Sequence, residues 1–312
     1  MNNNTKNLIK IIEINSLVVS GGGMKGYLFL GCIKLLFELN IIKKIKYYYG
    51  TSIGGFINIF LALGWTMDEI LKFTLNFSIG SIIEFDFDYF IDNYGVVPRI
   101  NFETIIKKII AYKGFDPEIT LGKLYELTSI EFNLITFSLK NNSAVVLNYI
   151  NNPDLMLWVS LYMTASLPIL IPPYHYNNDV YIDGGMCDNF PIDRVKEENK
   201  SKTIGICVSL YKPNWSLLEK YIIDKDIIHY AYELIKISFN QAPKNIIQNF
   251  IEITNNDDAY DFKMNSNSRE KLIDIGYKQS ITKIDKIIQN MYIEQTLSNR
   301  KKYNKFSIYN EI

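Results

Sequence analysis

Apolar residues recur along this chain in two rhythms, and the places where one gives way to the other outline its organisation. Residues 15–20 are apolar and β-branched, and 45–49 repeat the theme, so both predict short strands. Residues 203–210 are near-continuous in apolar character, as an interior parallel strand should be. Between the first two, Leu28, Cys32, Leu35, Leu36 and Leu39 fall on one helical stripe within 24–39, and 53–63 continues as a buried helix. Thr66-Met67-Asp68-Glu69 is a capping box that opens a helix to about Phe77. Further helices are predicted over 101–111, 120–127, 154–166, 217–239 and 268–291, and further strands over 131–139, 144–150, 180–182 and 248–254. The turn 140–143 makes the first two of those strands an antiparallel pair, and Pro168, Pro172 and Pro173 stop the helix before them.

The order strand–loop–helix–strand–turn–helix at the start predicts a parallel sheet, with both loops at the edge where ligands of open α/β sheets sit. Residues 78–95 are aromatic and acidic (Phe85, Asp86, Phe87, Asp88, Tyr89, Phe90), which suits either a lid or an irregular connector. In 101–111, Ile105, Ile106, Ile109 and Ile110 oppose Lys107 and Lys108, the pattern of a solvated helix face and, less simply, of a helix resting on lipid. The expected division is an N-terminal extension (1–14), a main domain (15–210) and a C-terminal helical extension packed on it (211–312).

The glycines change this picture. Of 17, eight (21, 22, 23, 26, 31, 50, 54, 55) lie between 21 and 55, where ordinary turns would scatter them. Gly50-Thr51-Ser52-Ile53-Gly54 has the frame G-x-S-x-G, which sets a serine on a sharp strand-to-helix turn with its hydroxyl exposed. Gly50 and Gly54 leave room beside that strained backbone. Gly21-Gly22-Gly23-Met24-Lys25-Gly26 follows the first strand and offers unencumbered amides at a helix start, where a negative oxygen is stabilised. A Walker loop is excluded by the order Lys25-Gly26-Tyr27, and a dinucleotide site by Lys43, Lys44 and Lys46, which stand where an acidic residue is needed.

A serine needs a proton acceptor. The chain has two histidines: His175 among prolines and tyrosines, and His229 in a helical stretch. Either reads more simply as structural. Asp183, at the end of a short strand and followed by Gly184-Gly185, is the better candidate base, with a plain Asp-Gly turn as the alternative.

Lys+Arg and Asp+Glu are both 33, so nothing in the charge calls for nucleic acid. Three scattered cysteines and two histidines form no zinc pattern; Cys32, Cys187 and Cys207 read as free thiols in a reducing compartment. No signal-peptide pattern and no long apolar run appears, so the expectation is an intracellular, cytoplasmic chain that meets membranes at most peripherally.

Taken in order, Gly21–Gly26, Gly50–Gly54 and Asp183–Gly185 resemble the motifs of the patatin-like phospholipases. Tyr162–Pro168 with Ile171-Pro172-Pro173 looks like that family's small-residue helix and P-x-x-F-P-P end, with Ile171 where an aromatic is common, and Asp188-Asn189-Phe190-Pro191 resembles its N-x-P segment. The similarity covers roughly 17–210. It implies a three-layer α/β/α fold with a mostly parallel central sheet. It also implies Ser52 as nucleophile, Asp183 as its base, and an oxyanion hole from Gly22, Gly23 and Met24 in a loop shaped by Gly21, Lys25 and Gly26. Gly50, Gly54, Gly184 and Gly185 would support these motifs. The implied activity is phospholipase A-type hydrolysis of lipid esters at a transiently visited membrane surface, with no metal or cofactor. Two other readings stay open: a lipid esterase with a triad of Ser52, Asp183 and His229, and a non-catalytic lipid-binding module on the same scaffold.

Overall fold

In the computed structural model, which describes residues 3–77, 86–209, 215–225, 230–231, 235, 249–254 and 264–309, the strands join in one eight-stranded sheet. These are β1 (Ser16–Val19), β2 (Tyr47–Thr51), β3 (Glu131–Ser138), β4 (Ser143–Leu147), β5 (Tyr174–Tyr176), β6 (Asp179–Asp183), β7 (Thr203–Val208) and β8 (Phe250–Ile253). The order is β5-β6-β3-β2-β1-β7-β8, with β4 also on β3. Strands β3, β2, β1, β7 and β8 run parallel, while β4 and β6 are antiparallel to β3. The sheet is therefore mostly parallel, as expected.

Alternation along the strands sorts the two faces. Leu17, Val19, Tyr48, Ile204 and Ile206 enter the main core, whereas Val18, Tyr49 and Cys207 pack on the other side against Phe190, Ile192 and Val195. The main core is closed by α2 (Gly26–Glu38), α3 (Ile53–Ala62), α4 (Met67–Asn76), α6 (Arg99–Tyr112) and α8 (Leu157–Thr164), following α1 (Asn3–Ile11) and interleaved with α5 (Phe87–Asn93) and α7 (Leu121–Thr128). The capping box at Thr66 is present, with Thr66 Oγ1 accepting from Glu69 N and Glu69 Oε2 from Thr66 N.

The register of β3 positions the site. Thr51 of β2 lies opposite Ile135, and Thr136 to Ser138 lie opposite Asp183 to Tyr181 of β6. Because β4 occupies the other edge over Leu134–Ser138, β2 and β6 share one edge of β3 and meet end to end. The C-terminal ends of a parallel and an antiparallel strand thus face each other across the boundary between Ile135 and Thr136.

The long helix α10 (Ser266–Tyr309) lies on α2, with α9 (Trp215–Ile223) preceding it in the chain. Where α10 crosses α2, a Cβ on Gly31 would meet the Ile273 carbonyl and one on Gly276 the Leu28 carbonyl, so the two backbones touch. Several boundaries differ from the sequence expectation, and three of them have a visible setting in the structure. Residues 154–156 are not helical, because Leu155 O and Leu157 N bond the strand-like segment at Leu121 and Ile119. Helix α9 stops at a turn, Asp224–Lys225, and most of 226–239 lies outside the described residues. Helix α10 continues past Met291, held there by Gln295, which bonds the backbone of Glu13 and Ser201. Among the described residues no helix is long and apolar enough to cross a membrane.

Candidate active site

Strand β2 ends at Thr51, and Ser52 turns the chain directly into α3 with φ 53° and ψ −124°, a conformation L-residues rarely adopt. Neighbours must be small. A Cβ on Gly54 would strike the Val19 carbonyl oxygen, and one on Gly50 would crowd the backbone of Gly54 and Gly55. Ser52 N donates to Thr164 Oγ1 at 3.0 Å, and that hydroxyl in turn donates to the Ile135 carbonyl. Thr51 Oγ1 donates to Asp188 O at 2.9 Å.

Asp183 is the last residue of β6 and is 1% exposed. Its amide donates to Ser166 O at 2.9 Å, and its Oδ1 accepts the Gly185 amide at 2.7 Å. The Ser52 side chain lies close enough to the same carboxylate to favour its ionised form as a hydrogen-bond donor. Burial pushes the Asp183 pKa up to about 7, against the opposing pull of Ser52 and of the Gly185 hydrogen bond. Gly184 lets the chain turn hard against β3, since a Cβ there would collide with the Ile135 carbonyl. Its own carbonyl accepts the amides of Cys187 and Asp188 at 3.1 and 2.9 Å, and Asp188 is paired with Arg194 Nε at 2.7 Å.

The glycine loop stands beside this pair. Ser20 N bonds Ile206 O, and Gly21 N bonds Asn189 O at 2.9 Å, tying the loop to the segment after Asp183. A Cβ placed on Gly21 would lie 3.5 Å from Ser52 Cβ, and one on Gly26 would press into Ile53. Gly23, at φ 54°, opens the 3-10 helical turn Gly23–Lys25, which closes with Lys25 N on Gly22 O and Gly26 N on Gly23 O and Met24 O. Among the described residues the amides of Gly22, Gly23 and Met24 have no protein acceptor. The sequence-selected glycines, Ser52 and Asp183 are thus gathered in one place.

From Ser52 an apolar cavity of about 170 Å³ runs between α2, α3, α4 and α6. Gly23, Met24 and Ser52 lie at one end, with Phe56, Ile57 and Phe60 following on α3, and Leu167, Leu170 and Ile171 bordering it from the loop after α8. That loop is clamped by Val96 N on the Ile169 and Leu170 carbonyls.

His175 sits exposed on β5, paired with Val180, and among the described residues no hydrogen bond joins it to Ser52 or Asp183. His229 lies outside the described residues, as does Phe85. Sequence reasoning missed two parts of the site. Thr164 lies in the small-residue helix already singled out, yet nothing in that pattern says its hydroxyl takes the Ser52 amide. The apolar residues of α3 and α6 that wall the cavity mark, as sequence, only a buried helix and an amphipathic one.

Residues 17–196, more than half of the chain, match the family model described as patatin-like phospholipase. The chain belongs to the patatin-like phospholipase family. A probable lipid hydrolase of Invertebrate iridescent virus 6 is 32% identical over 190 residues, 59% of this chain and 64% of that relative's length. An uncharacterized protein of Acanthamoeba polyphaga mimivirus is 26% identical over 93% of this chain and 100% of its own length. Among solved structures, VipD from Legionella pneumophila superposes with a TM-score of 0.57 at 16% identity, covering 88% of this chain and 67% of VipD. The type III effector ExoU gives 0.52 at 15% identity, covering 90% of this chain and 53% of the effector. These two share the patatin-like fold: a mostly parallel sheet flanked by helices.

Proposed function

We propose that this patatin-like chain is a lipid acyl hydrolase of phospholipase A type working through a dyad of Ser52 and Asp183. The observation that carries the reading is the closeness of the Ser52 side chain, at one end of an apolar cavity, to the buried Asp183 carboxylate, whose ionised form it favours. With Asp183 ionised, Ser52 Oγ attacks the ester carbonyl as its proton passes to Asp183. The carbonyl oxygen becomes negative, and the unpaired amides of Gly22, Gly23 and Met24 are the donors suited to it, each such donor being worth about 2.7–4 kcal/mol. Collapse of the intermediate returns the proton from Asp183 to the departing alcohol and leaves an acyl-Ser52. Water, deprotonated by Asp183, attacks the acyl carbon; fatty acid leaves and Ser52 regains its proton. The cavity supports an acyl chain as the group carried.

A triad through His229 is less well supported, because in a triad the acid holds the histidine and not the serine; here Asp183 lies close to Ser52 itself. The retained site argues against a purely binding module. We read 15–210 as the catalytic unit and 1–14 and 211–312 as extensions packed on it; contacts of α10 with α2 and α1 support this. Membrane contact would use the exposed Ile91, Tyr94 and Ile100 next to the clamped loop, whereas Phe90 packs against the core.

Product analysis on mixed phospholipids tests the proposal. Ser52→Ala is expected to abolish fatty-acid release, and Asp183→Asn to lower it by about 10²–10⁴-fold. Wild-type kcat/KM should fall as pH drops through about 7, where Asp183 takes up its proton. Near-normal turnover in either variant sinks the dyad.

A further inference from the structure

The four helices around the cavity give it a direction. On α3 the lining residues Ile53, Phe56 and Phe60 descend from Ser52 at helical spacing. On α6, Phe102, Ile106 and Ile109 descend alongside, since Phe56 meets Phe102 edge-on at 5.5 Å and Trp65, just past α3, meets Tyr112 at the end of α6 at 4.4 Å. Helix α4 returns upward between them. At its lower level Phe73 touches Phe60 at 5.6 Å and Trp65 at 5.7 Å, while Phe60 and Trp65 meet edge-on at 4.9 Å. Trp65 is 4% exposed and does not line the cavity. Phe60 and Phe73, with Ile109 beside them, thus face the far end of the space, and a packed aromatic cluster closes it behind them.

We infer that Phe60 and Phe73 form a floor that limits the acyl chain, so that medium-chain acyl esters are the preferred substrates. The inference rests on the reading of the cavity as the acyl site. Along α3, at about 1.5 Å of rise per residue, the step from Ser52 to Phe60 spans about 12 Å, which takes an extended acyl chain of about eight to ten carbons. A longer chain must either displace two aromatic rings from a close-packed cluster or leave its tail in water, and both are unfavourable. Beyond Ser52 the polar side chains in the wall are Tyr27 and Thr74, and both hydroxyls already donate to backbone carbonyls, Tyr27 to Thr74 O at 3.1 Å and Thr74 to Ile70 O at 2.8 Å, so the rest of the wall selects by shape.

Two measurements test this on the full chain. The first is kcat/KM for p-nitrophenyl esters from acetate to palmitate; the second is calorimetric binding of saturated fatty acids from hexanoate to palmitate by the Ser52→Ala chain. Wild type should prefer decanoyl over palmitoyl ester by about tenfold or more, given what a few misplaced methylenes cost in an apolar pocket. Phe60→Ala should lower that ratio by about tenfold, and the same substitution in the Ser52→Ala background should move the longest tightly bound fatty acid upward. If Phe60→Ala does not fold, Ile105→Phe, which fills the slot at mid-depth from a half-buried position on α6, should move the optimum to shorter chains. A flat length profile in wild type, or a folded Phe60→Ala with the wild-type profile, overturns the floor while leaving Ser52-dependent hydrolysis intact. A chain that cleaves no ester but shows a Phe60-dependent break in fatty-acid binding keeps the floor and overturns the hydrolase reading. Absence of both hydrolysis and length-dependent binding overturns both.

Discussion

Ser52 and Asp183 come to the same point from opposite directions and under different kinds of tension. Ser52 ends a parallel strand and sits at φ 53°, ψ −124°, so its cost is conformational. Asp183 ends an antiparallel strand with an ordinary backbone, φ −51° and ψ 130°, but its carboxylate is buried and titrates near 7, so its cost is electrostatic. The first cost is the same at every pH. The second appears only when the carboxylate ionises. The two residues, proposed as nucleophile and base, can therefore be told apart by stability measurements alone, without any substrate.

The largest expected effect lies on the aspartate. Its folded-state pKa of about 7 stands above the ordinary 3.8, so the folded chain holds a proton that the unfolded chain releases. That contribution to stability is fully present below pH 3.8 and is lost as pH rises to about 7. Asp183→Asn removes the dependence. Relative to wild type, the variant should gain about 3 kcal/mol of stability between pH 5 and pH 8, out of about 4 kcal/mol available from below pH 3.8 to above 7. Urea unfolding at the two pH values reads it, and an identical difference at both would mean that the carboxylate bears no such cost.

Next in size is the brace on the serine turn. Thr164 Oγ1 accepts the Ser52 amide and donates to Ile135, beside the boundary on β3 where the two strand ends meet. Thr164→Val keeps the shape and removes both bonds, leaving a buried amide and carbonyl unsatisfied. The expected loss is about 1–3 kcal/mol in urea unfolding, together with a fall in kcat at near-constant KM as the turn loosens. A change in KM alone would make Thr164 a wall residue and not a brace.

The same contrast explains what could be read from the chain beforehand. The strain at Ser52 is local: a serine flanked by Gly50 and Gly54 between an apolar strand and a helical stripe leaves few other conformations, and the turn was legible. The placement of Asp183 is not local. It depends on β3 running three residues beyond the end of β2, so that β6 can dock on the vacated edge. The strand-plus-Asp-Gly-Gly pattern marked the carboxylate, but the meeting with Ser52 came only from resemblance. Thr164 is 112 residues from the amide it binds, a pairing no short-range pattern encodes. Helix α10 outran its apolar stripe because Gln295 is held by tertiary bonds, and helix 154–166 lost its first turn to a bridge with the segment before α7.

The smallest effect isolates the conformational cost. Ser52→Ala and Ser52→Gly both delete the hydroxyl and its influence on Asp183, so their difference carries only the backbone. At an ordinary helix or strand position glycine is less stable than alanine by about 0.5–1 kcal/mol, because the unfolded chain gains freedom. At φ 53° and ψ −124° a Cβ is itself the source of strain, worth about 1–3 kcal/mol. The relief should exceed the entropy loss and invert the usual order, leaving the glycine variant more stable by about 1 kcal/mol. The gap should be equal at pH 5 and pH 8, since nothing that titrates differs between the two chains. If alanine proves the more stable, Ser52 is held without strain, and the backbone of the turn, unlike the charge of its partner, costs the fold nothing.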